Sequence, residues 1–131
     1  MSAPRLRLRP AMRIARGRDF QRAYRQGSRA KGTFMTVALV ANGLGITRIG
    51  LSVGKRVWKH AVSRNRVRRV FREAFRLSYG ELPEGVDLVL IGSTPRLRPR
   101  LEPTRRELVQ LAAKALRRYR EKERRTGGES T

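Results

Sequence analysis

Cysteine is absent from the sequence, and histidine occurs once, as His60. Without cysteine, the chain can form neither a disulfide framework nor a thiolate metal site. No apolar run approaches the roughly 20 residues that span a bilayer, and the N-terminal residues lack the apolar segment of a secretory signal. These absences exclude disulfide-stabilised and membrane-spanning proteins, and they predict a soluble protein of the cytoplasm.

Acidic residues are also scarce. Asp and Glu number 10 against 32 Lys and Arg, so the net charge is +22. The carboxylates are scattered, and no two have the spacing of a two-carboxylate or two-metal catalytic site. The sequence has neither a Walker loop nor a Gly-rich dinucleotide motif. We interpret His60, beside Lys59 at a helix entry, as a surface or capping residue. The chain is therefore predicted to contain no catalytic residue and no metal site.

Positive charge is what the sequence has in excess. A domain that repels itself this strongly is best explained by a polyanionic partner that neutralises it. Most of the cations are arginines, whose guanidinium groups match phosphate geometry and stack on bases. The chain of 131 residues, 39% of them hydrophobic, suits one domain with a modest core. We therefore predict a single domain that binds nucleic acid.

Hydrophobic periodicity predicts the order of elements. We expect a helix over 17–26, strands over 33–41 and 46–53 joined as a hairpin by a turn at 42–45, a basic helix over 60–79, a strand over 86–91 and a helix that begins at a capping box, Thr104–Glu107. This order predicts an α+β fold, an α/β sandwich with helices against a small central sheet, α-β-β-(β)-α-β-α with one optional strand. Strand 86–91 follows a crossover helix, so it is expected to lie parallel to an earlier strand.

The chain ends are predicted to lie outside the domain. Residues 1–12 alternate Arg with Leu and contain two prolines, so we interpret them as a flexible basic arm. We expect residues 13–120 to form a single α/β domain that binds RNA. Residues 121–131 are charged and rich in Gly, Ser and Thr, which predicts a disordered tail.

The segment 55–76 carries nine Lys and Arg against one acid, Glu73. The basic helix predicted over 60–79 carries an apolar stripe at helical spacing, which predicts that one of its faces packs on the sheet. The stripe consists of Val67, Val70, Phe71, Ala74 and Phe75. We expect a basic face on the opposite side, formed by Arg64, Asn65, Arg68, Arg69, Arg72 and Arg76. A helix with one buried face and one arginine-rich face is typical of nucleic-acid binding.

Aromatic residues are few, and two of them are one helical turn apart, Phe20 and Tyr24. Two interpretations stay open for this pair. The rings pack the first helix on the sheet, or they form a platform on which single-stranded bases stack. Trp58, just before the basic helix, has the same two interpretations.

Several motifs resemble one known family. The pair Lys55-Arg56, the run AVSRNRVRR over 61–69 and the run REAF over 72–75 are similar to the "RNR" signature of the bacterial ribonuclease P protein subunit. The run RIGLSVGKR over 48–56 resembles the strand that leads into that motif, and RDFQ over 18–21 resembles the family's first helix. The resemblance covers residues 12–120. Trp58 and the arm before residue 12 have no clear counterpart.

The resemblance implies a subunit of a ribonucleoprotein endonuclease that removes the 5′ leader of precursor tRNA. It implies that the RNA subunit is the catalyst, that Mg²⁺ enters through that RNA, and that the protein binds no cofactor of its own. It also implies a left-handed βαβ crossover through the basic helix. The expected partners are ribonuclease P RNA and precursor tRNA, and neither DNA nor a membrane.

The resemblance also assigns two sets of residues. The set expected to bind the RNA subunit comprises Lys55, Arg56, Lys59, Arg64, Asn65, Arg66, Arg68, Arg69, Arg72 and Arg76. The set expected to line a groove for the 5′ leader, between the first helix and the open sheet face, comprises Arg18, Phe20, Arg22, Tyr24, Phe34 and Ser52.

Two other functions fit the size and charge. A structural RNA-binding protein, such as a small ribosomal protein, is the main alternative. A DNA-binding module with the basic helix in a major groove is the second. The apolar stripe counts against the latter, because it ties the basic helix to a sheet.

Overall fold

The structure, a computed structural model, describes residues 8–54, 60–94 and 98–129. It contains the helices α1 (Gly17–Gln26), α2 (Ala61–Ser78) and α3 (Leu101–Glu129). Its strands are β1 (Ser28–Lys31), β2 (Met35–Ala41), β3 (Arg48–Ser52) and β4 (Val86–Gly92). Single 3-10 turns lie at Pro10–Met12 and Tyr79–Glu81. The predicted α+β class is confirmed. The sheet has a third strand before the basic helix, but this strand is β1, which precedes the two predicted strands, whereas the optional strand was placed after them.

The four strands form one sheet in the order β1-β2-β4-β3. The predicted hairpin between β2 and β3 is wrong, because β4 lies between them, antiparallel to β2 and parallel to β3. The predicted parallel pairing of the last strand is thus correct, with α2 as the crossover. β4 lies between β2 and β3 because of its burial. Residues Val86 to Leu90 are buried throughout, and a strand covered on both faces belongs at the centre of a sheet.

The sheet separates two apolar layers. One face packs against α2 and α3 in a core that contains Val37, Leu39, Leu88, Phe71 and Phe75. The other face carries alternate residues of the same strands, Ala38, Val40 and Val89, and packs against α1 through Ala23. Because α1 has only ten residues, it covers part of its face and leaves a strip of sheet partly exposed.

The final helix differs from its prediction at both ends. It begins at Leu101, and the Thr104 hydroxyl donates to the Arg100 carbonyl oxygen instead of capping the helix. Glu107, the other half of the predicted capping box, accepts hydrogen bonds from the main-chain N–H groups of Thr33, Phe34 and Met35 at 2.7–3.1 Å. A long-range contact thus replaces the local one, and Glu107 fixes the entry to β2.

Both predicted chain ends need correction. The tail from residue 121 continues α3 as far as Glu129, because its Arg, Lys and Glu residues are good helix formers. In the basic arm, Met12 is buried and Leu8 packs against the core. The main-chain N–H of Ile14 donates to the Ile49 carbonyl oxygen at 2.8 Å, so this segment lies along the outer edge of β3. Residues 1–7 of the arm lie outside the described residues.

Candidate nucleic-acid interface

Helix α1 crosses the sheet from β3 to β1. At its start, the Phe20 ring lies on Gly50 of β3, so closely that a Cβ at position 50 would approach ring carbons to 2.8 Å. One turn later, the Tyr24 ring is covered by the guanidinium of Arg29 on β1, with 5.2 Å from Arg29 Cζ to the ring centroid. The two rings therefore mark the two ends of one wall.

A strip of sheet runs beside this wall. The strand register places Lys31, Thr36, Ile91 and Ser52 side by side across all four strands. They share the α1 face of the sheet, because Ile91 packs in the same cluster as Phe20 and Tyr24. Lys31 is exposed and the other three are half buried. Wall and strip together form a shallow groove, which we call the sheet groove.

The two interpretations of the aromatic pair turn out to be compatible. Phe20 and Tyr24 pack against the apolar cluster under α1, as core packing requires. Both nevertheless remain half exposed, so their outer edges border the sheet groove. Of the other residues predicted to line it, Ser52 lies in the strip and Phe34 lies at the entry to β2, half buried. Arg18 is exposed on the other side of α1, beside Gln21 and Arg25.

Arg22, which was predicted to line the leader groove, forms an ion pair with a buried carboxylate of the sheet. Its Nη2 lies 3.2 Å from Oδ2 of the fully buried Asp87. Arg48 donates to both Asp87 oxygens at 2.8 and 2.7 Å, and Asn42 Nδ2 donates to Oδ1 at 2.9 Å. This network, the Asp87 cluster, anchors α1 to β4 and β3. Sequence reasoning missed Arg48, although an aspartate within the apolar run of β4 was the available signal.

Burial and charge act in opposite directions on the Asp87 cluster. Burial by itself raises the pKa of Asp87, but the hydrogen bonds from Arg48 and Asn42 and the positive charge of Arg48 outweigh it, so the pKa lies below its ordinary value. The hydrogen bond to Asp87 raises the pKa of Arg48 in turn. Both groups are therefore charged at neutral pH, and the network is an ion pair.

Three arginines converge at the β3 end of the sheet groove. Arg68 and Arg72 of α2 and Arg13 of the N-terminal segment line a cleft together with Phe20 and Gly50. Burial lowers the pKa of Arg72, and the nearby positive charges of Arg68 and Arg13 lower it further. Like charges held together in this way favour an anion between them. We call this site the arginine cleft.

The arginine cleft corrects the predicted layout of the basic helix. Arg64, Arg68 and Arg72 are half buried and do not lie opposite the apolar stripe. Arg64 precedes Phe71 by seven residues, or about two turns, which places it on the stripe's own side. The outward face is instead formed by Asn65, Arg66 and Arg69, which are exposed.

The remaining predicted residues divide into two groups. Arg76 forms a two-pronged ion pair with Glu73, with 2.7 Å between Arg76 Nε and Glu73 Oε2, and this hydrogen bond lowers the pKa of Glu73. Part of the positive charge of Arg76 is therefore already neutralised by Glu73. Lys55, Arg56, Lys59 and Trp58 lie outside the described residues.

The carboxylates are engaged elsewhere. Within the part of the chain that the structure describes, six of them contact a cation or main-chain amides, namely Asp19, Glu73, Glu81, Asp87, Glu102 and Glu107. Within the described ranges, no three of His, Cys, Asp and Glu cluster in a way that could hold a metal ion. None of the helices in those ranges has the length and apolar character needed to cross a membrane.

The family model for Ribonuclease P matches residues 8–116. The chain belongs to the ribonuclease P protein family. The ribonuclease P protein component of Pseudanabaena sp. (strain PCC 6903) is 34% identical to it over 104 residues, which cover 79% of this chain and 90% of that protein. That of Natranaerobius thermophilus is 33% identical over 97 residues, 74% of this chain and 84% of that protein.

Solved ribonuclease P proteins share the fold. The protein from Staphylococcus aureus superposes with a TM-score of 0.66 at 27% identity, covering 76% of this chain and 91% of that one. The protein from Thermotoga maritima gives a TM-score of 0.65 at 29% identity, covering 84% and 96%. The predicted family is thereby confirmed. The ribosomal-protein and DNA-binding alternatives are set aside, because the family match spans α1, the sheet, α2 and part of α3.

Proposed function

We propose that this chain is the protein subunit of a cytoplasmic ribonuclease P, which binds the catalytic RNA and the 5′ leader of precursor tRNA. The sheet groove takes the unpaired leader. The outward face of α2 binds the RNA subunit. Hydrolysis is assigned to the RNA subunit with its Mg²⁺, and this chain contributes binding and orientation to the endonucleolytic maturation of tRNA.

One observation carries the proposal most directly. The arginine cleft joins the basic helix to the aromatic wall of the sheet groove, since Arg68, Arg72 and Phe20 line the same cavity. A strand that lies along the groove thus has its phosphates near guanidinium groups and its bases near aromatic rings, the two contacts on which single-strand binding depends. The geometry suits a ligand that is single-stranded in the groove and continues towards the RNA held on α2.

Reconstitution tests the proposed function. Added to a bacterial ribonuclease P RNA at low Mg²⁺, the protein should restore cleavage of precursor tRNA, because its cations replace part of the ionic screening. The isolated protein should cleave nothing. Activity of the purified protein that is lost on His60→Ala or on a single carboxylate substitution would contradict the proposal. A protein that binds RNA and leaves cleavage unchanged would favour a structural RNA-binding role.

The aromatic wall gives a prediction about the leader. Phe20→Ala should weaken precursor-tRNA binding in the holoenzyme by about 5- to 150-fold, because base–aromatic stacking is worth roughly 1–3 kcal/mol per base. Binding of mature tRNA, which has no leader, should stay nearly unchanged. The two dissociation constants are measured beside a melting curve of the free protein.

Phe20→Leu is the matched control. Leucine retains apolar contact with Gly50 but cannot stack, so it should preserve most of the melting temperature while losing the leader affinity. Equal losses for both tRNAs, together with a lowered melting temperature, would show that Phe20 serves the core alone.

A further inference from the structure

Helix α3 continues beyond the part of the chain that matches the family model. The match ends at residue 116, and the helix runs on to Glu129. Between residues 117 and 125 this extension carries six Arg and Lys against two Glu. It is therefore a basic helix segment, and it belongs neither to the sheet groove nor to the arginine cleft.

Two side chains attach the extension to the free edge of the sheet. Arg118 Nη1 donates to the Arg29 carbonyl oxygen at 2.6 Å, and Lys122 Nζ donates to the Gln26 carbonyl oxygen at 3.3 Å. Strand β1 ends the sheet on this side. Arg118 therefore lies at the outer edge of the sheet beside Arg29, and Lys122 lies one helical turn further along, at the end of α1. Both acceptors are neutral carbonyl groups, and both side chains are exposed. Their charge is therefore available to an anion.

Arg29 makes the groove and the extension continuous. Its guanidinium covers the Tyr24 ring, at the end of the aromatic wall, while its carbonyl oxygen binds Arg118. Lys31, the exposed end of the strip, stands two residues further along the same strand. A polyanion that leaves the groove over β1 thus meets Arg29 and Lys31 and then Arg118 and Lys122.

We propose that the α3 extension binds the phosphates of the distal part of the 5′ leader, beyond the nucleotides held in the sheet groove. The inference rests on the proposed function and adds a second binding surface to it. A helix that presents cations at i and i+4 beside the groove exit can follow a phosphate backbone without reading bases. Longer leaders should therefore bind more tightly than short ones, whatever their sequence.

The test uses the full chain in the reconstituted holoenzyme. Arg118→Gln combined with Lys122→Gln removes two charges and keeps an N–H donor for each main-chain carbonyl. Affinity is measured for precursor tRNAs with leaders of about 4 and about 12 nucleotides, which span common site sizes of single-strand-binding domains. For the long leader we expect a loss of about 2- to 30-fold, the range for two exposed ion pairs, and a salt slope smaller by about 1.4. The short leader should bind unchanged.

The matched control is Arg120→Gln combined with Arg124→Gln. This pair has the same i, i+4 spacing, is exposed and removes the same charge, but it starts about 200° around the helix from Arg118. It should leave both affinities nearly intact. Equal losses for both leaders, equal losses for both variants, no loss, or weakened RNA-subunit binding in place of the leader effect would overturn the inference. The wild-type protein must first restore cleavage of precursor tRNA in this assay. A failure of the proposed function is therefore seen with the wild-type protein, and a failure of this inference is seen with the variants alone.

Discussion

Replacing Asp87 with alanine should lower the free energy of unfolding by about 3 kcal/mol, at the lower end of the range for breaking a buried ion pair. Asp87 is fully buried, whereas the side chains of Arg48 and Arg22 keep 15% and 34% of their exposure. Without the carboxylate, two guanidinium groups remain together against β4, and water compensates only part of their charge. Urea unfolding followed by circular dichroism at neutral pH measures the loss.

The same residue should make stability depend on acid. The pKa of Asp87 is lower in the folded protein than its ordinary value, which is about 3.9 in an unfolded chain. The ion pair therefore contributes fully above about pH 4, and its contribution is lost as the pH falls through the folded-state pKa. Asp87→Asn should be less stable than wild type at pH 7, and the difference should shrink below about pH 4.

Glu73→Gln is the control for both measurements. Glu73 is also paired in two-pronged fashion with an arginine, Arg76, but this pair lies on the surface of α2. Its loss should change stability little, because water and salt screen exposed pairs. If Asp87→Ala behaved like Glu73→Gln, the Asp87 cluster would not be the anchor of α1.

The sequence predicted what depends on local pattern. The basic helix was expected over 60–79 and is found at Ala61–Ser78, and the first helix was expected and found at Gly17–Gln26. In both, apolar residues recur at helical spacing beside residues that end a helix. The turn at 42–45 was also correct, since Gly43 and Gly45 have φ of 69° and 75°, values that glycine adopts without strain.

Strand partners could not be derived in the same way. A turn between two strands resembles a hairpin whether or not the strands pair, and the Asn42 side chain here closes the loop on Ile46 and reaches Asp87 of β4. The apolar character of β4, interrupted by Asp87 alone, was the neglected signal, because such a strand requires neighbours on both sides. Strand β1 was missed for the opposite reason, since its four residues, SRAK, lack an apolar pattern.

In the candidate site, too, residues with a local sequence pattern could be predicted, and residues brought together by distant contacts could not. Phe20 and Tyr24 were found from their spacing, and both border the sheet groove. Arg13 was not singled out, because it joins Arg68 and Arg72 only when the N-terminal segment lies along β3. Likewise, Glu107 looked like half of a capping box, while its partners Thr33, Phe34 and Met35 are more than 70 residues away. Contacts between distant segments carry no local signature.

The largest effect on binding is expected from the arginine cleft. Arg68→Ala combined with Arg72→Ala should weaken precursor-tRNA binding in the holoenzyme by about 30- to 1,000-fold. This assumes about 1–2 kcal/mol for each arginine, less than the usual range for hydrogen bonds to charged groups because both residues are only half buried. Mature tRNA should lose far less. Dissociation constants for both tRNAs, taken at one salt concentration, provide the measurement.

The control pair is Arg66→Ala with Arg69→Ala, on the outward face of the same helix. It removes the same charge, but it should weaken assembly with the RNA subunit and affect both tRNAs alike once assembly is complete.

Melting of the free protein distinguishes the two pairs further. Removing Arg68 and Arg72 should raise its melting temperature in dilute buffer, because both residues and Arg13 repel one another around the cleft. Inorganic phosphate should stabilise the wild-type protein by binding the folded state and should stabilise the cleft variant less. A cleft variant that melts lower, keeps its response to phosphate and binds both tRNAs equally would show that these arginines serve the fold rather than the leader.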